Sequence, residues 1–129
     1  LGVDALTDVT GFGLAGHLLE MCRGSGVGAV VDFANVPVHP GASDLARQGY
    51  FTGASSRNWA GYGADVAIDA GEPDLVRTIV TDPQTSGGLL VACAPDSVDA
   101  VLDVFRRDGF ERAADIGAIV AGAPRVTVL

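Results

Sequence analysis

A chain of 129 residues, 48% of them apolar, is long enough to bury one hydrophobic core and short for two ordinary domains, so residues 1–129 are expected to form a single domain. Eight basic side chains against sixteen acidic ones give a net charge of −8, and with no basic run to follow a phosphate backbone nucleic acid is excluded as an expected partner. No apolar run approaches the roughly 20 residues that cross a bilayer, the opening LGVDALTDVTG lacks the order of a secretory signal, and Cys22 and Cys93 have no CxxC spacing; a soluble, cytoplasmic protein with reduced thiols and no membrane contact is the expectation.

From Gly11 to Arg23, Leu14, Leu18, Met21 and Cys22 recur at intervals of three and four, which predicts a helix with one buried face, capped by Thr10 and closed by Gly24 and Gly26. VGAVVDFA at 27–34 reads as a strand, and a short helix is expected from Pro40 to Gln48, ahead of Gly49. Four glycines among small polar residues assign 49–63 to a loop. ADVAIDA is a strand, Pro73–Val80 a short helix, DPQTSGG a turn, and LLVACA a buried strand. Val98, Val101, Leu102 and Phe105 share one face of a helix over 97–108, capped by Asp96 and stopped by Gly109. ADIGAIVA and RVTVL supply two last strands around the turn GAP. The order implies an α+β domain, a mixed sheet with helices packed on it, and the part from Leu89 onward resembles half of a ferredoxin-like unit.

Two constellations carry chemistry. Thr7, Asp8, Thr10, Gly11 and Gly13 place a carboxylate and two hydroxyls ahead of a glycine-rich helix entry. Glycines allow close backbone approach, free N–H groups favour an anion, and Asp8 could hold a magnesium ion bridging to phosphate oxygens. On local pattern alone, Thr10 is equally an ordinary cap. Asp82–Gly88 offers Gln84, Thr85, Ser86 and two glycines at the mouth of a strand, where a plain turn is the competing reading. Ser55, Ser56, Arg57 and Asn58 form a weaker third group, in which Arg57 could pair with phosphate. His17 and His39 read as packed or hydrogen-bonded side chains, and Cys22 and Cys93 as core thiols.

Taken in order, TDVTGFGLAGHLLEM, GVGAVVDFANVPVHPGA, SSRN, DPQTSGGLLVA and ADIGAIV resemble the carboxy-terminal domain of selenophosphate synthetases (selenide, water dikinases), within the wider aminoimidazole ribonucleotide synthetase superfamily. The resemblance implies that superfamily's carboxy-terminal fold and an enzyme that turns ATP, selenide and water into selenophosphate, AMP and orthophosphate with Mg2+. It implies that Asp8 is a metal-binding aspartate, that Thr7, Thr10 and Gly11 line the same wall of the ATP site, and that Ser55, Arg57 and Asn58 belong to a nucleotide-site loop. Family members commonly read GGTxRN there, against GASSRN here. The family's reactive cysteine or selenocysteine, its lysine and its other metal-binding aspartates have no counterpart in this sequence. An amino-terminal ATP-binding domain is therefore expected to be missing, as the start at Leu1 also suggests. No catalytic residue is assigned within the chain, which is expected to be inactive alone, with homodimerisation left to the complete protein. Other superfamily enzymes (aminoimidazole ribonucleotide synthetase, thiamine monophosphate kinase, a hydrogenase maturation factor) or a non-enzymatic ferredoxin-like regulatory module are the alternatives.

Overall fold

Two strand systems, described for residues 2–129 in a computed structural model, organise the chain. The first is an antiparallel pair of β1 (Val3–Asp8) and β4 (Leu89–Cys93). The second is a four-stranded sheet in the order β3 (Val66–Ile68), β6 (Val126–Val128), β2 (Gly28–Val31), β5 (Gly117–Val120). In that sheet β6 runs parallel to both β3 and β2, and β5 antiparallel to β2. The expected α+β class with a mixed sheet is what forms. The unit from Leu89 onward has its strand, helix, strand order, with β4 and β5 in separate sheets.

The parallel register explains the core. Ala29 lies opposite Val126, which lies opposite Val66, and Val31, Val128 and Ile68 form the next row. Residues two apart on a strand share a face, so both rows turn to the same side. Against them pack Leu18, Leu19 and Cys22 of α1 (Gly13–Ser25) and Val76 and Val80 of α4 (Pro73–Val80). Each fully buried Val or Leu contributes on the order of 1.5–3 kcal/mol. α4 occupies the span read from the sequence, with Pro73 in its first turn, whereas α2 (Ala42–Arg47) begins only after a left-handed Gly41, leaving Pro40 outside it, and ends one residue before Gln48, with Gly49 in the left-handed region at φ 90°.

Several local expectations are corrected. α1 begins at Gly13, not Gly11, and the residue at its cap position is Phe12, without a side-chain bond. The cause is a turn in which the Gly13 N–H donates to the Thr10 carbonyl at 3.1 Å and Gly13 adopts φ 73°. Thr10 is therefore not the helix cap. At the other end Gly26 alone terminates the helix, in the left-handed region and donating to Cys22, while Gly24 lies inside it. The supposed loop at 49–63 contains α3 (Gly53–Tyr62), whose first turn is capped by the Thr52 hydroxyl accepting from the Ser55 N–H at 3.3 Å. Glycine, serine and asparagine disfavour helix interiors, and tertiary hydrogen bonds described below outweigh that preference. β1 has no clear alternation and was not expected as a strand. β4 is only partly covered: Leu90 is buried while Leu89 is 52% exposed. Ahead of α5 (Val98–Arg107) a 3-10 turn spans Pro95–Ser97. Asp96 is thus not the cap, and the Ser97 hydroxyl instead accepts from the Gly2 N–H at 3.0 Å.

Candidate functional site

Antiparallel pairing of β1 with β4 joins the two motif segments. Asp8 lies opposite Leu89 and Thr7 opposite Leu90, so the end of TDVTGFG meets the end of DPQTSGG. Beyond the strands the contact continues: the Val9 N–H donates to the Gly88 carbonyl at 2.9 Å, and the Gln84 N–H to the Thr10 carbonyl at 3.1 Å. Gly87 makes this approach possible, because a Cβ there would stand 1.8 Å from the Val9 carbonyl oxygen.

On this ridge Asp8 is exposed. Its carboxylate makes no hydrogen bond or ion pair among the described residues, so both oxygens are free to accept a ligand. Thr7 and Thr10 are half-buried, and Gly11 is exposed, with nothing within 4 Å of the place a Cβ would take. The Thr7 hydroxyl turns back to the Asp8 carbonyl at 3.3 Å. Among the described residues no group of three or more His, Cys, Asp or Glu is arranged to hold a metal. A single carboxylate fits one corner of a cation shell of six or more oxygens and leaves the rest to be supplied from elsewhere.

Behind the ridge α3 braces the helix entry. Asn58 donates through Nδ2 to the Gly11 carbonyl at 2.9 Å and to the Thr81 carbonyl at 3.0 Å. Ser55, 4% exposed, shares a 2.5 Å hydrogen bond with the Thr81 hydroxyl, which also donates to the Arg77 carbonyl. Gly11, Ser55 and Asn58 are thereby gathered around one buried hub at Thr81, with Thr10, Asp8 and Thr7 attached through the adjoining chain and β1. Arg57 stands apart, exposed on α3, with no ion pair among the described residues. Asn58→Ala is expected to cost about 1–3 kcal/mol, since two backbone carbonyls lose their donor at once; urea denaturation measures it, and a change under about 0.5 kcal/mol removes Asn58 as a brace.

Sequence reading missed Thr81 and the structural roles of Gly13 and Tyr62. Thr81, fully buried, follows an amphipathic helix without any signal of its own. Gly13 lies with its Cβ position 2.7 Å from the Thr81 backbone, a closeness at which only the GFG spacing hints. Tyr62 donates its hydroxyl to the Phe12 carbonyl, and burial pushes its pKa up to about 12, against a smaller lowering from a backbone hydrogen bond to Gly16. Because the folded pKa is raised, the contribution to stability is complete below about pH 10 and is lost as pH rises towards 12. For a ring only partly covered this amounts to about 1 kcal/mol. A phenolate absorbance titration with its midpoint at 10 would contradict it. Burial likewise raises the Asp82 carboxyl at the start of the second motif and the Cys22 thiol in the core; a raised pKa suits an inert structural cysteine.

Comparison with known proteins places the chain in a family. Residues 1–128 match the family described as AIR synthase related protein, C-terminal domain. Over 127 residues the chain is 59% identical to a selenide, water dikinase of Burkholderia pseudomallei, covering 98% of this chain and 36% of that protein. It is 52% identical over 128 residues to one of Dechloromonas aromatica, covering 99% and 37%, and 49% identical over 127 residues to one of Rhizobium meliloti, covering 98% and 36%. The chain thus spans little more than a third of the length of these relatives. With the match running through both motif segments and every strand of the two sheets, the chain belongs to the family of AIR synthase related protein C-terminal domains.

Proposed function

We propose that this chain is the carboxy-terminal domain of a selenide, water dikinase and forms one wall of its Mg-ATP site. The observation that carries the reading is the joined ridge of TDVTGFG and DPQTSGG with the unpaired Asp8 carboxylate at its edge. Asp8 is the metal ligand of this wall, Thr7, Thr10 and Gly11 flank the nucleotide, and Arg57 is free to meet a phosphate. Ser55 and Asn58 act from behind, holding the wall to α3 and α4. A bound Mg2+ would offset the charge of the ATP phosphates, which an acidic domain needs.

The surface around Asp8 supports a second contributor to the site. Directly opposed residues of an antiparallel pair share a face, so Leu6, Asp8, Leu89 and Val91 lie on one side of β1 and β4. Leu6 is 58% and Leu89 52% exposed. Apolar surface at the rim of a functional carboxylate suits a covering domain, here the amino-terminal ATP-binding domain that would bring the remaining metal ligands and the reactive group. Homodimerisation of the complete protein and action in the cytoplasm belong to the same proposal. No helix of the described residues is long and apolar enough to cross a membrane.

The test is phosphorus NMR on the complete protein with ATP and Mg2+, with and without selenide. Selenide-dependent appearance of AMP, orthophosphate and selenophosphate is expected; ATP breakdown to ADP, or none that depends on selenide, rejects the reading.

A further inference from the structure

His17 is buried, 7% exposed, yet it stands beside the ridge rather than in the apolar core. Its Nε2 lies 3.1 Å from the Thr10 hydroxyl, and its Nδ1 lies 3.3 Å from a Glu20 carboxylate oxygen one helical turn on. The Phe12 ring covers it, with centroids 5.5 Å apart. Nδ1 has no aligned hydrogen-bond partner: the Glu20 oxygen is within reach but off the N–H direction. Glu20 is 52% exposed in its side chain and has room to rotate into line, whereas His17 is buried.

The nearness of the Glu20 carboxylate to Nδ1 favours one tautomer. A carboxylate only accepts, so a bond to Glu20 requires Nδ1–H, and in a neutral imidazole the other nitrogen is then an acceptor. The Thr10 hydroxyl must donate to it. Its own oxygen is left with lone pairs alone to offer on the side away from His17.

We propose that His17 is a positioning residue that holds the Thr10 hydroxyl as a pure hydrogen-bond acceptor towards the site, so that the group facing Thr10 is a donor, namely cation-bound water, and not a phosphate oxygen. This rests on the preceding reading that Thr10 lines the nucleotide wall, and it alters the role within that wall: Thr10 serves the hydrated cation while backbone N–H groups and Arg57 serve phosphate. The turn ahead of α1, held by His17, therefore adds an oriented oxygen to the carboxylate of Asp8.

Two arms test it in the complete protein. In the first, nitrogen-15 NMR of labelled histidine, with the His17 signals assigned by their loss in His17→Gln, is expected to show the neutral Nδ1–H tautomer. Thr10→Val should move the Nε2 resonance. An Nε2–H tautomer or an imidazolium at neutral pH overturns the proposal. In the second, Thr10→Val and His17→Leu should each raise the Mg2+ concentration for half-maximal AMP release roughly tenfold, as loss of one oriented hydrogen bond does, with kcat changed less. Thr10→Ser and His17→Gln, whose amide oxygen accepts the same proton, should restore it to within about threefold of wild type. Unchanged Mg2+ dependence in an active His17→Leu protein overturns the proposal. Wild-type protein that releases no AMP sinks the functional reading instead, and the tautomer then decides the role of His17 alone.

Discussion

Asp8→Asn in the complete protein is expected to lower selenide-dependent AMP release by roughly 10²–10³-fold, the order of loss when one preorganised electrostatic contribution to the transition state, here made through the metal, is removed. Asparagine keeps the shape of the side chain and removes its charge. Asp8 is exposed and without a partner among the described residues, so the substitution should change folding stability by no more than about 0.5 kcal/mol. That separation gives the experiment its meaning. Lost activity with an unchanged melting temperature places the carboxylate in the metal site, and part of the loss should return at high Mg2+. Equal AMP release from both proteins would reduce Asp8 to the last residue of a strand.

The largest effect on folding is expected from Gly87→Ala. Its Cβ would stand 1.8 Å from the Val9 carbonyl oxygen and 2.8 Å from the carbonyl carbon. Both atoms are backbone, so no side-chain rotation relieves the clash. The DPQTSGG segment has to move off β1, and the Val9 to Gly88 and Gln84 to Thr10 hydrogen bonds are strained with it. A cost of about 3 kcal/mol or more follows, a large part of the 5–15 kcal/mol that holds a typical domain folded. Gly88→Ala is the control: nothing lies within 4 Å of its Cβ position, and less than about 1 kcal/mol is expected. Urea midpoints of the two variants decide the matter, since similar values would show that the close approach at Gly87 is not a constraint on the fold.

Much of the architecture was written in periodicity. α4 and α5 have strongly one-sided apolar patterns and appear where the sequence places them, and the β-branched strands β2, β3 and β6 form within the segments read as strands, though β2 stops at Val31 and Phe33–Asn35 is a 3-10 turn. The failures have a common physical origin. Thr10 and Asp96 look like caps because capping residues are recognised by type, but in the folded chain their neighbourhoods are claimed by a left-handed glycine and by a 3-10 turn. α3 looks like a loop because GASSRN has poor helix propensity, and it is a helix because Thr52 caps it while Ser55 and Asn58 make hydrogen bonds to residues far along the chain. Local preference amounts to tenths of a kcal/mol per residue, and several tertiary bonds exceed it.

The sequence by itself determined the α+β class, the family likeness, the two motif segments and Asp8 as a carboxylate beside a glycine-rich entry. Only the tertiary structure decided that the two segments form one ridge, that Ser55 and Asn58 brace it from behind while Arg57 stays free, and that His17 reaches Thr10. Composition and spacing act between near neighbours, whereas Asp8 and Leu89, or Asn58 and Gly11, meet only when burial of the shared core folds distant segments together.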